Sequence, residues 1–272
     1  AIDNATAGNT ILVWAGIYYE RVQVNASNLI IIGNGSSHTF VDAMNDSYAF
    51  YVTGDNVTFK NLTTQHGKYG IYLYENEECN IISVTSRWNS IGLWIEKSDY
   101  NVISHSHFTY NTNDTSSDDE GAKDGIFSHD GRYNSFLFNN FSFNGDFDDM
   151  MGGDGIHDTG SHSTILNNTF YKNAEMGIRG GFDENLIANN TFLHNGYTGD
   201  SDSVGIFMHG GEDNVIQNNI FDSQERGIAI GHGCDGNIIR NNIFESNSQG
   251  VQAGYLGTSN IGDKNYLLNN QF

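Results

Sequence analysis

The sequence has no proline, only two cysteines and few basic residues. Its 12 lysines and arginines stand against 33 aspartates and glutamates, which gives a formal net charge of −21. Because the phosphates of nucleic acids and anionic membranes attract lysine and arginine, this charge disfavours both as partners. It would also repel an anionic glycan unless a cation lay between the two.

Long apolar runs are also lacking, and none approaches the roughly 20 residues of a membrane span. No signal peptide is recognisable at the start of the sequence. Asn-X-Ser/Thr sequons recur, for example at Asn61 and Asn140, which suits a secreted or cell-surface protein. Cys79 and Cys234 lie several repeats apart, so coils spaced about 4.8 Å apart would keep them beyond disulfide distance. A disulfide framework is therefore excluded.

Glycine, aromatic residues and asparagine are abundant, and they recur in a fixed order. The second half of each repeat follows the pattern Asn-x-Ile-x-Asn-Asn-x-Phe-x-x-Asn, as in NIIRNNIFESN from Asn237. A glycine followed by Ile, Leu or Val opens the repeats at Gly70, Gly92, Gly125, Gly155, Gly177, Gly205, Gly227 and Gly250. The glycine-led run and the asparagine pattern together give each period three short strands.

Short alternating apolar runs, broken by Gly and Asn at corners, are typical of strands joined by tight turns. One such coil cannot bury its inward Ile and Phe alone, so many coils must stack. We predict an all-β chain that forms a single right-handed parallel β-helix domain over residues 1–272, with about ten coils. Residues 1–51 are expected to form N-terminal capping coils and residues 52–272 the regular coils. A conventional sandwich does not account for the regular repeats.

The repeats over residues 52–272 resemble parallel β-helix proteins of the NosD-like and carbohydrate-binding-and-sugar-hydrolase class. Residues 9–33 are similar to the first coils of that class, although Ala15 stands where the family often has proline. This resemblance implies the fold. It leaves the activity open, because the architecture serves lyases, epimerases, hydrolases and binding modules.

Three insertions interrupt the repeats at 111–122, 144–154 and 195–204, each between the Phe-x-x-Asn corner and the next Gly-apolar pair. Since they share one corner, we expect a wall of acidic loops beside one strand face, the side on which solenoids commonly bind ligands. Oxygen-rich loops suit calcium; solvated acidic loops are the alternative. No organic cofactor is predicted. The candidate calcium ligands are Asp146, Asp148, Asp149 and Asp154.

The strand after each Gly-apolar pair presents alternate side chains to the outer face of the coil. The inward partners, such as Leu73 and Ile95, are apolar, whereas Asp158 is an exception at an inward position. Sugar rings can stack on outward aromatic rings while polar groups fix their hydroxyls or carboxylates. We therefore expect a polysaccharide along this face. The residues expected to bind it are Tyr72, Tyr74, Trp94, Glu96, Phe127 and Phe207.

Histidines and an arginine continue the same outward positions. His129, His157 and His209 can exchange protons near neutral pH, and Arg179 can pair with a carboxylate. Removal of the C5 proton of a uronate requires a base and a group that neutralises the sugar carboxylate. The leading hypothesis is therefore a lyase or C5-epimerase that acts on a uronate-containing glycan.

The segment 125–130, Gly-Ile-Phe-Ser-His-Asp, partly resembles the signature of mannuronan C5-epimerases. His129 and Asp130 match the His-Asp of that family, and the resemblance implies a catalytic role for both. Phe127, Ser128 and Asp124 stand where the family has Asp, Pro and Tyr.

Three alternatives remain open. Asp154-Gly155-Ile156 and 231–233, Gly-His-Gly, resemble elements of polygalacturonase-like hydrolases, although the intervening Asp-Asp pair is missing. A non-catalytic module could bind glycan or another cell-surface partner through the same face. Zinc could bind the three outward histidines, although no compact ligand motif supports it.

Overall fold

The computed structural model describes residues 2–112, 123–146, 152–196, 203–254 and 264–272. A single turn of 3-10 helix, Ile2–Asn4, precedes the first strand, and the other regular elements in these ranges are β-strands. The strands pair in parallel between successive coils and form a right-handed parallel β-helix, which confirms the predicted fold.

Three ladders of parallel strands form the faces of the helix. The first ladder has eleven strands, each paired with the equivalent strand of the next coil. Its strands are β1 (Thr10–Val13), β4 (Ile30–Gly33), β6 (Thr58–Lys60), β8 (Asn80–Ile82), β11 (Val102–Ser104), β14 (Ser135–Leu137), β17 (Thr164–Leu166), β20 (Leu186–Ala188), β23 (Val215–Gln217), β26 (Ile238–Arg240) and β29 (Tyr266–Leu268).

Two long strands, β5 (Thr39–Val52) and β7 (Thr63–Tyr74), continue around a corner and belong to both other ladders. With them, the second ladder contains β2 (Gly16–Tyr19), β9 (Thr85–Arg87), β12 (His107–Thr109), β15 (Asn140–Ser142), β18 (Thr169–Tyr171), β21 (Thr191–Leu193), β24 (Ile220–Asp222) and β27 (Ile243–Glu245). The third ladder adds β3 (Val22–Val24), β10 (Ile91–Glu96), β13 (Ile126–His129), β16 (Ile156–Asp158), β19 (Met176–Gly180), β22 (Val204–Met208), β25 (Arg226–Ile230) and β28 (Gln249–Ala253).

A column of buried phenylalanine rings from the second ladder runs through the core, beside buried Ile, Leu and Val side chains of the other ladders. Neighbouring rings lie nearly parallel, with centroids 4.7 Å apart between Phe170 and Phe192. A Cβ atom added at Gly177 would lie 2.5 Å from Cδ1 of Phe192, so the ring occupies the space that a side chain would need. The repeated Phe and the repeated Gly are therefore two halves of one packing arrangement.

Asparagine ladders line the three corners. Buried Asn side chains such as Asn190 bond the backbone and the next Asn along the stack, so their amide groups are paired inside the coil. Adjacent corner residues such as Asn189 adopt φ near 53°, a left-handed conformation that Asn tolerates better than most residues. The repeated Asn-Asn pair thus supplies one buried ladder residue and one corner residue.

Both cysteines are buried and free, as the prediction against a disulfide requires. None of the described residues belongs to a helix with the length and apolar character of a membrane span. The three insertions fall between β12 and β13, β15 and β16, and β21 and β22. They share the corner between the second and third ladders, which confirms their predicted common side.

Candidate functional site

The outward positions of the third ladder align as predicted. Trp94 pairs with Phe127, Phe127 with His157, His157 with Arg179, and Arg179 with Phe207 on successive coils. We call this row the outer column. A second row two residues further along contains Tyr74, Glu96 and His129, which pair in the same register. The sequence period therefore places the candidate residues side by side.

An aromatic cluster forms the N-terminal part of the outer column. The rings of Tyr69 and Trp94 meet edge to face with centroids 4.9 Å apart, and Tyr72 lies beside both. The Tyr72 hydroxyl donates a short hydrogen bond to Oε2 of Glu96. Burial and this bond raise the pKa of Tyr72 above its ordinary value. Tyr72, Tyr74, Trp94 and Glu96 remain partly exposed.

The predicted solvent exposure is wrong for Phe127 and Phe207, which are 2% and 6% exposed. Phe127 lies between the rings of Trp94 and His157, with centroids 4.9 and 4.8 Å away. Phe207 belongs to a small apolar cluster with Met176, Val204 and Ala229. Coils stacked this closely bring large neighbouring rings into mutual contact, so these two rings support the face rather than present a stacking surface.

His129 and Asp130 lie at the end of β13 and are both accessible. The side chain of His129 is 42% exposed, and its Nδ1 lies 3.9 Å from Oδ2 of Asp130. The imidazole is parallel to the ring of Phe127, with centroids 6.2 Å apart. His129 is therefore the most accessible histidine that contacts the central part of the outer column.

Arg179 lies next to His157 and is held from one side by acidic groups. Its Nη1 is 3.3 Å from Oε2 of Glu175 and 4.0 Å from Oδ2 of Asp154. The Arg179 side chain is 40% exposed, whereas that of His157 is 14% exposed. The guanidinium thus has both a fixed acidic support and a solvent-facing part.

A pair of buried aspartates lies behind these residues. Asp124 and Asp154 immediately precede Gly125 and Gly155, and coils on either side place Ile91 and Met176 at the equivalent position. Asp154 is 1% exposed and Asp124 is fully buried. The sequence analysis places Asp154 on the wall of acidic loops as a candidate calcium ligand. It is instead buried beside Asp124, because β13 stacks in register on β16, and its role as a calcium ligand stays a prediction.

Each of the two carboxylates is anchored through one oxygen. Oδ1 of Asp124 accepts hydrogen bonds from the backbone nitrogens of Gly153 at 3.1 Å and Asp154 at 2.7 Å. Oδ1 of Asp154 accepts one from the backbone nitrogen of Met176 at 3.0 Å. The Oδ2 atoms of both residues are buried without a hydrogen-bond partner. Nδ1 of His157 lies 3.7 Å from Oδ2 of Asp124.

The environment of the pair disfavours two negative charges. Burial, the largest cause, raises the pKa of Asp124 well above its ordinary value, although backbone hydrogen bonds oppose this. Burial also raises the pKa of Asp154, and the neighbouring charges of Asp124 and Glu175 act in the same direction. A proton or a cation would relieve this repulsion.

The remaining predicted residues lie apart from this centre. His209 is exposed, and its ring meets that of His232 edge to face at 4.5 Å, beyond Arg179 and Phe207. Asp158 is buried and engaged, since its Oδ1 accepts from the backbone of Gly160 and its Oδ2 from Asn185. Of the other predicted calcium ligands, Asp146 is partly buried, and Asp148 and Asp149 lie outside the described residues.

Sequence reasoning overlooked Asp124 and Glu175. Asp124 was treated only as a departure from an epimerase signature. The signal that identifies it is the repeated Asp-Gly-Ile at 124–126 and 154–156, because the two adjoining coils have an apolar residue before the glycine, Ile91 and Met176. Aligned by the glycine, two acidic residues on successive coils must stack.

The sequence matches the family model described as "Right handed beta helix region" over residues 48–148 and 124–272. A search of curated protein sequences finds no significant match. The NosD-like and epimerase resemblances therefore stay predictions.

Among solved structures, ORF18 of Geobacillus virus E2 is similar with a TM-score of 0.74 and 11% identity, over 98% of this chain and 56% of that one. The PL6 family alginate lyase AlyGC gives a TM-score of 0.68 and 16% identity, over 98% of this chain and 38% of that one. DFA-IIIase from Arthrobacter chlorophenolicus A6 gives 0.66 and 13%, over 95% and 83%. The chain thus spans only part of the first two structures, and at these identities the similarity concerns the fold.

Proposed function

We propose a function that rests on the outer column. This chain belongs to the right-handed beta helix family, but that fold serves many chemistries, so the fold alone does not identify the reaction. The protein is a secreted or cell-surface enzyme that modifies a uronate-containing polysaccharide. It abstracts the C5 proton of the uronate as a lyase or a C5-epimerase.

The observation that carries this proposal is the position of Arg179. A partly exposed guanidinium, backed by Glu175 and Asp154, stands beside His157 in a chain whose net charge is −21. Arginine binds carboxylates through paired hydrogen bonds. Neutralisation of the uronate carboxylate makes the C5 proton easier to remove. Arg179 would therefore both select the acidic sugar and stabilise charge that develops during the reaction.

His129 is the proposed proton acceptor. It is the accessible imidazole at the centre of the face, and Asp130 lies near its Nδ1. An imidazole changes its charge close to neutral pH, as general base catalysis requires. His157 and His209 remain further candidates for proton transfer, and Asp130 is the candidate that orients His129.

Partly exposed Tyr74 and Trp94 extend the proposed binding face along the helix axis. Amphipathic rings offer apolar faces to sugar rings and polar edges to their hydroxyls. The similar structures include an alginate lyase and a DFA-IIIase, which supports a carbohydrate ligand for this chain. Calcium is a proposed cofactor that would bridge the acidic protein and an anionic glycan.

The test is a screen of alginate, pectate and other uronans with purified protein, with and without calcium. Absorbance near 235 nm detects the double bond that a lyase forms, and proton NMR detects sugars inverted at C5. Carboxyl-reduced polymers of the same chain length serve as matched controls and should not react. If the uronans bind but neither of these signals nor any new reducing end appears, a non-catalytic glycan-binding module is supported instead.

The buried aspartate pair favours a second candidate function. Oxygens of Asp124 and Asp154 lie within 4.8 Å of each other, and retaining glycosidases hold their two carboxyl groups about 5 Å apart. A glycoside hydrolase would release new reducing ends without any absorbance near 235 nm. A reducing-end assay on the same reactions distinguishes the two chemistries.

A further inference from the structure

The two buried aspartates and His157 form a cluster of convergent ligand atoms. One carboxylate oxygen from each aspartate and one imidazole nitrogen lie within 4.8 Å of one another. Atoms bound at about 2.0–2.4 Å to one ion are at most about 4.8 Å apart. All three atoms can therefore reach a single ion placed among them.

The carboxylates are oriented for a ligand rather than for the protein around them. Each aspartate bonds the backbone through Oδ1, and these bonds fix the direction of Oδ2. Both Oδ2 atoms are buried without a hydrogen-bond partner, and Oδ2 of Asp124 lies 3.7 Å from Nδ1 of His157. A buried carboxylate oxygen without a partner carries a large desolvation penalty. Two such buried oxygens beside one imidazole therefore favour a cation bound by all three residues.

The charge of the cluster matches one divalent ion. Asp124, Asp154 and Glu175 carry three negative charges when ionised, and Arg179 carries one positive charge, so these four side chains sum to −2. Buried charges are normally paired or bind metals. Arg179 also holds Glu175, whose Oε1 accepts a hydrogen bond from the backbone nitrogen of Gly152. Glu175 is thereby held by Arg179 and the Gly152 backbone. The two aspartates are therefore the carboxylates that remain to bind the ion.

We propose that Asp124, Asp154 and His157 bind one divalent transition-metal cation, with Zn²⁺ preferred over Mn²⁺. Zinc binds both imidazole nitrogen and carboxylate oxygen, and three protein ligands leave further positions for water or substrate. Calcium and magnesium prefer oxygen ligands alone. Mn²⁺ binds the same type of site more weakly than Zn²⁺. This site goes beyond the proposed function and does not depend on it.

The test uses the full chain without a histidine tag, stripped with a chelator and dialysed. Calorimetric titration with ZnCl₂, MnCl₂ and CaCl₂, together with elemental analysis after gel filtration, gives stoichiometry and affinity. We expect one Zn²⁺ per chain, at least about tenfold tighter binding of Zn²⁺ than of Mn²⁺, and a thermal midpoint that rises with Zn²⁺.

Asp124→Asn and His157→Gln should each weaken Zn²⁺ binding at least about tenfold. His129→Gln, on the neighbouring row, is the matched histidine control and should retain the wild-type stoichiometry. Circular dichroism of each variant establishes that it is folded.

Three results would overturn the proposal. The first is no stoichiometric Zn²⁺ uptake by the wild type, which would leave the carboxylates to share a proton. The second is unchanged affinity in both folded ligand variants. The third is calcium binding as tight as zinc binding and independent of His157, which would indicate an oxygen-only site. None of these results depends on whether a uronan is turned over, so the site and the proposed enzymatic function fail separately.

Discussion

Nδ2 of Asn190 donates a hydrogen bond to Oδ1 of Asn219, 3.1 Å away in the next coil, and another to the backbone oxygen of Ile165 at 2.8 Å. Oδ1 of Asn190 accepts from the backbone nitrogen of Asn168 at 2.8 Å. One side-chain amide therefore bonds the backbone of the preceding coil and the Asn219 side chain of the next coil, and so joins three coils. Asparagine is suited to this position because it carries both a donor and an acceptor.

Replacement of Asn190 by alanine should strongly destabilise the fold. The change leaves the Asn168 nitrogen buried without its partner and removes a hydrogen bond to the Ile165 oxygen, so we expect a loss of about 2–4 kcal/mol in the free energy of unfolding. Denaturant titration followed by circular dichroism measures it. The adjacent Asn189→Gly is the matched control, because Gly tolerates its positive φ, and it should change stability by less than about 1 kcal/mol. Equal effects of the two changes would contradict this account of the ladder.

Substitution of a buried ring in the phenylalanine column should also lower the stability of the fold strongly. Phe170 lies between Phe141 and Phe192, with centroids 4.9 and 4.7 Å away. Phe170→Ala opens a cavity between coils, and we expect a loss of about 3–5 kcal/mol. Phe138 also stacks on a neighbouring ring, that of His105, but it is 52% exposed. Phe138→Asn should therefore lower the free energy of unfolding by less than about 1.5 kcal/mol. A larger loss for Phe138→Asn than for Phe170→Ala would contradict this account of the column.

Asp42 should make stability depend on pH in the acidic range. Burial tends to raise its pKa, but hydrogen bonds from Gln65, His66 and the backbone of Met44 outweigh this and lower the pKa below its ordinary value. A lowered pKa in the folded state means that the ionised carboxylate stabilises the fold above its ordinary pKa. This contribution is lost as the pH falls through the folded-state value.

Asp42→Asn should therefore destabilise the protein at neutral pH, and the difference from the wild type should shrink below about pH 4. Thermal or denaturant unfolding at several pH values measures this. Asp46→Asn is the control: its carboxylate pairs with Arg21 at 2.7 Å while about half exposed, so we expect an effect below about 1 kcal/mol. If the stability difference between the wild type and Asp42→Asn instead grew as the pH fell, the conclusion that folding lowers the pKa of Asp42 would be wrong.

Both cysteines should be unreactive until the protein unfolds. Burial raises the pKa of the Cys79 thiol to about 12, and Cys234 is buried as well. Thiolate is the reactive form, so a chromogenic disulfide reagent should find no fast-reacting thiol in the native protein. In denaturant it should find two, the number in the sequence. A rapid native reaction at either position would mean that its coil opens readily.

The sequence predicts the fold and the outer column for one physical reason. Parallel coils stack in register, so residues at the same distance from each glycine must be neighbours. Phe127, His157 and Arg179 are neighbours for this reason. Burial depends on the size of the neighbours on adjacent coils, which a single strand does not reveal. That is why the exposure expected of Phe127 is wrong.

The aspartate pair was harder to predict because it breaks the pattern. Asp124 and Asp154 occupy a position that is apolar in the adjoining coils, at Ile91 and Met176. A search guided by outward aromatic residues and family signatures passes over them. The direction of each Oδ2 is set by backbone hydrogen bonds, from Asp154 and Met176, that no residue pattern encodes.

The central claim is that Arg179 engages a uronate carboxylate on the outer column. The most direct test compares kcat/KM on the reactive uronan for the wild type, Arg179→Gln and Arg132→Gln, an exposed arginine outside the column. We predict at least about a 100-fold loss for Arg179→Gln and less than about a twofold change for Arg132→Gln. An undiminished kcat/KM in a folded Arg179→Gln variant would contradict the claim.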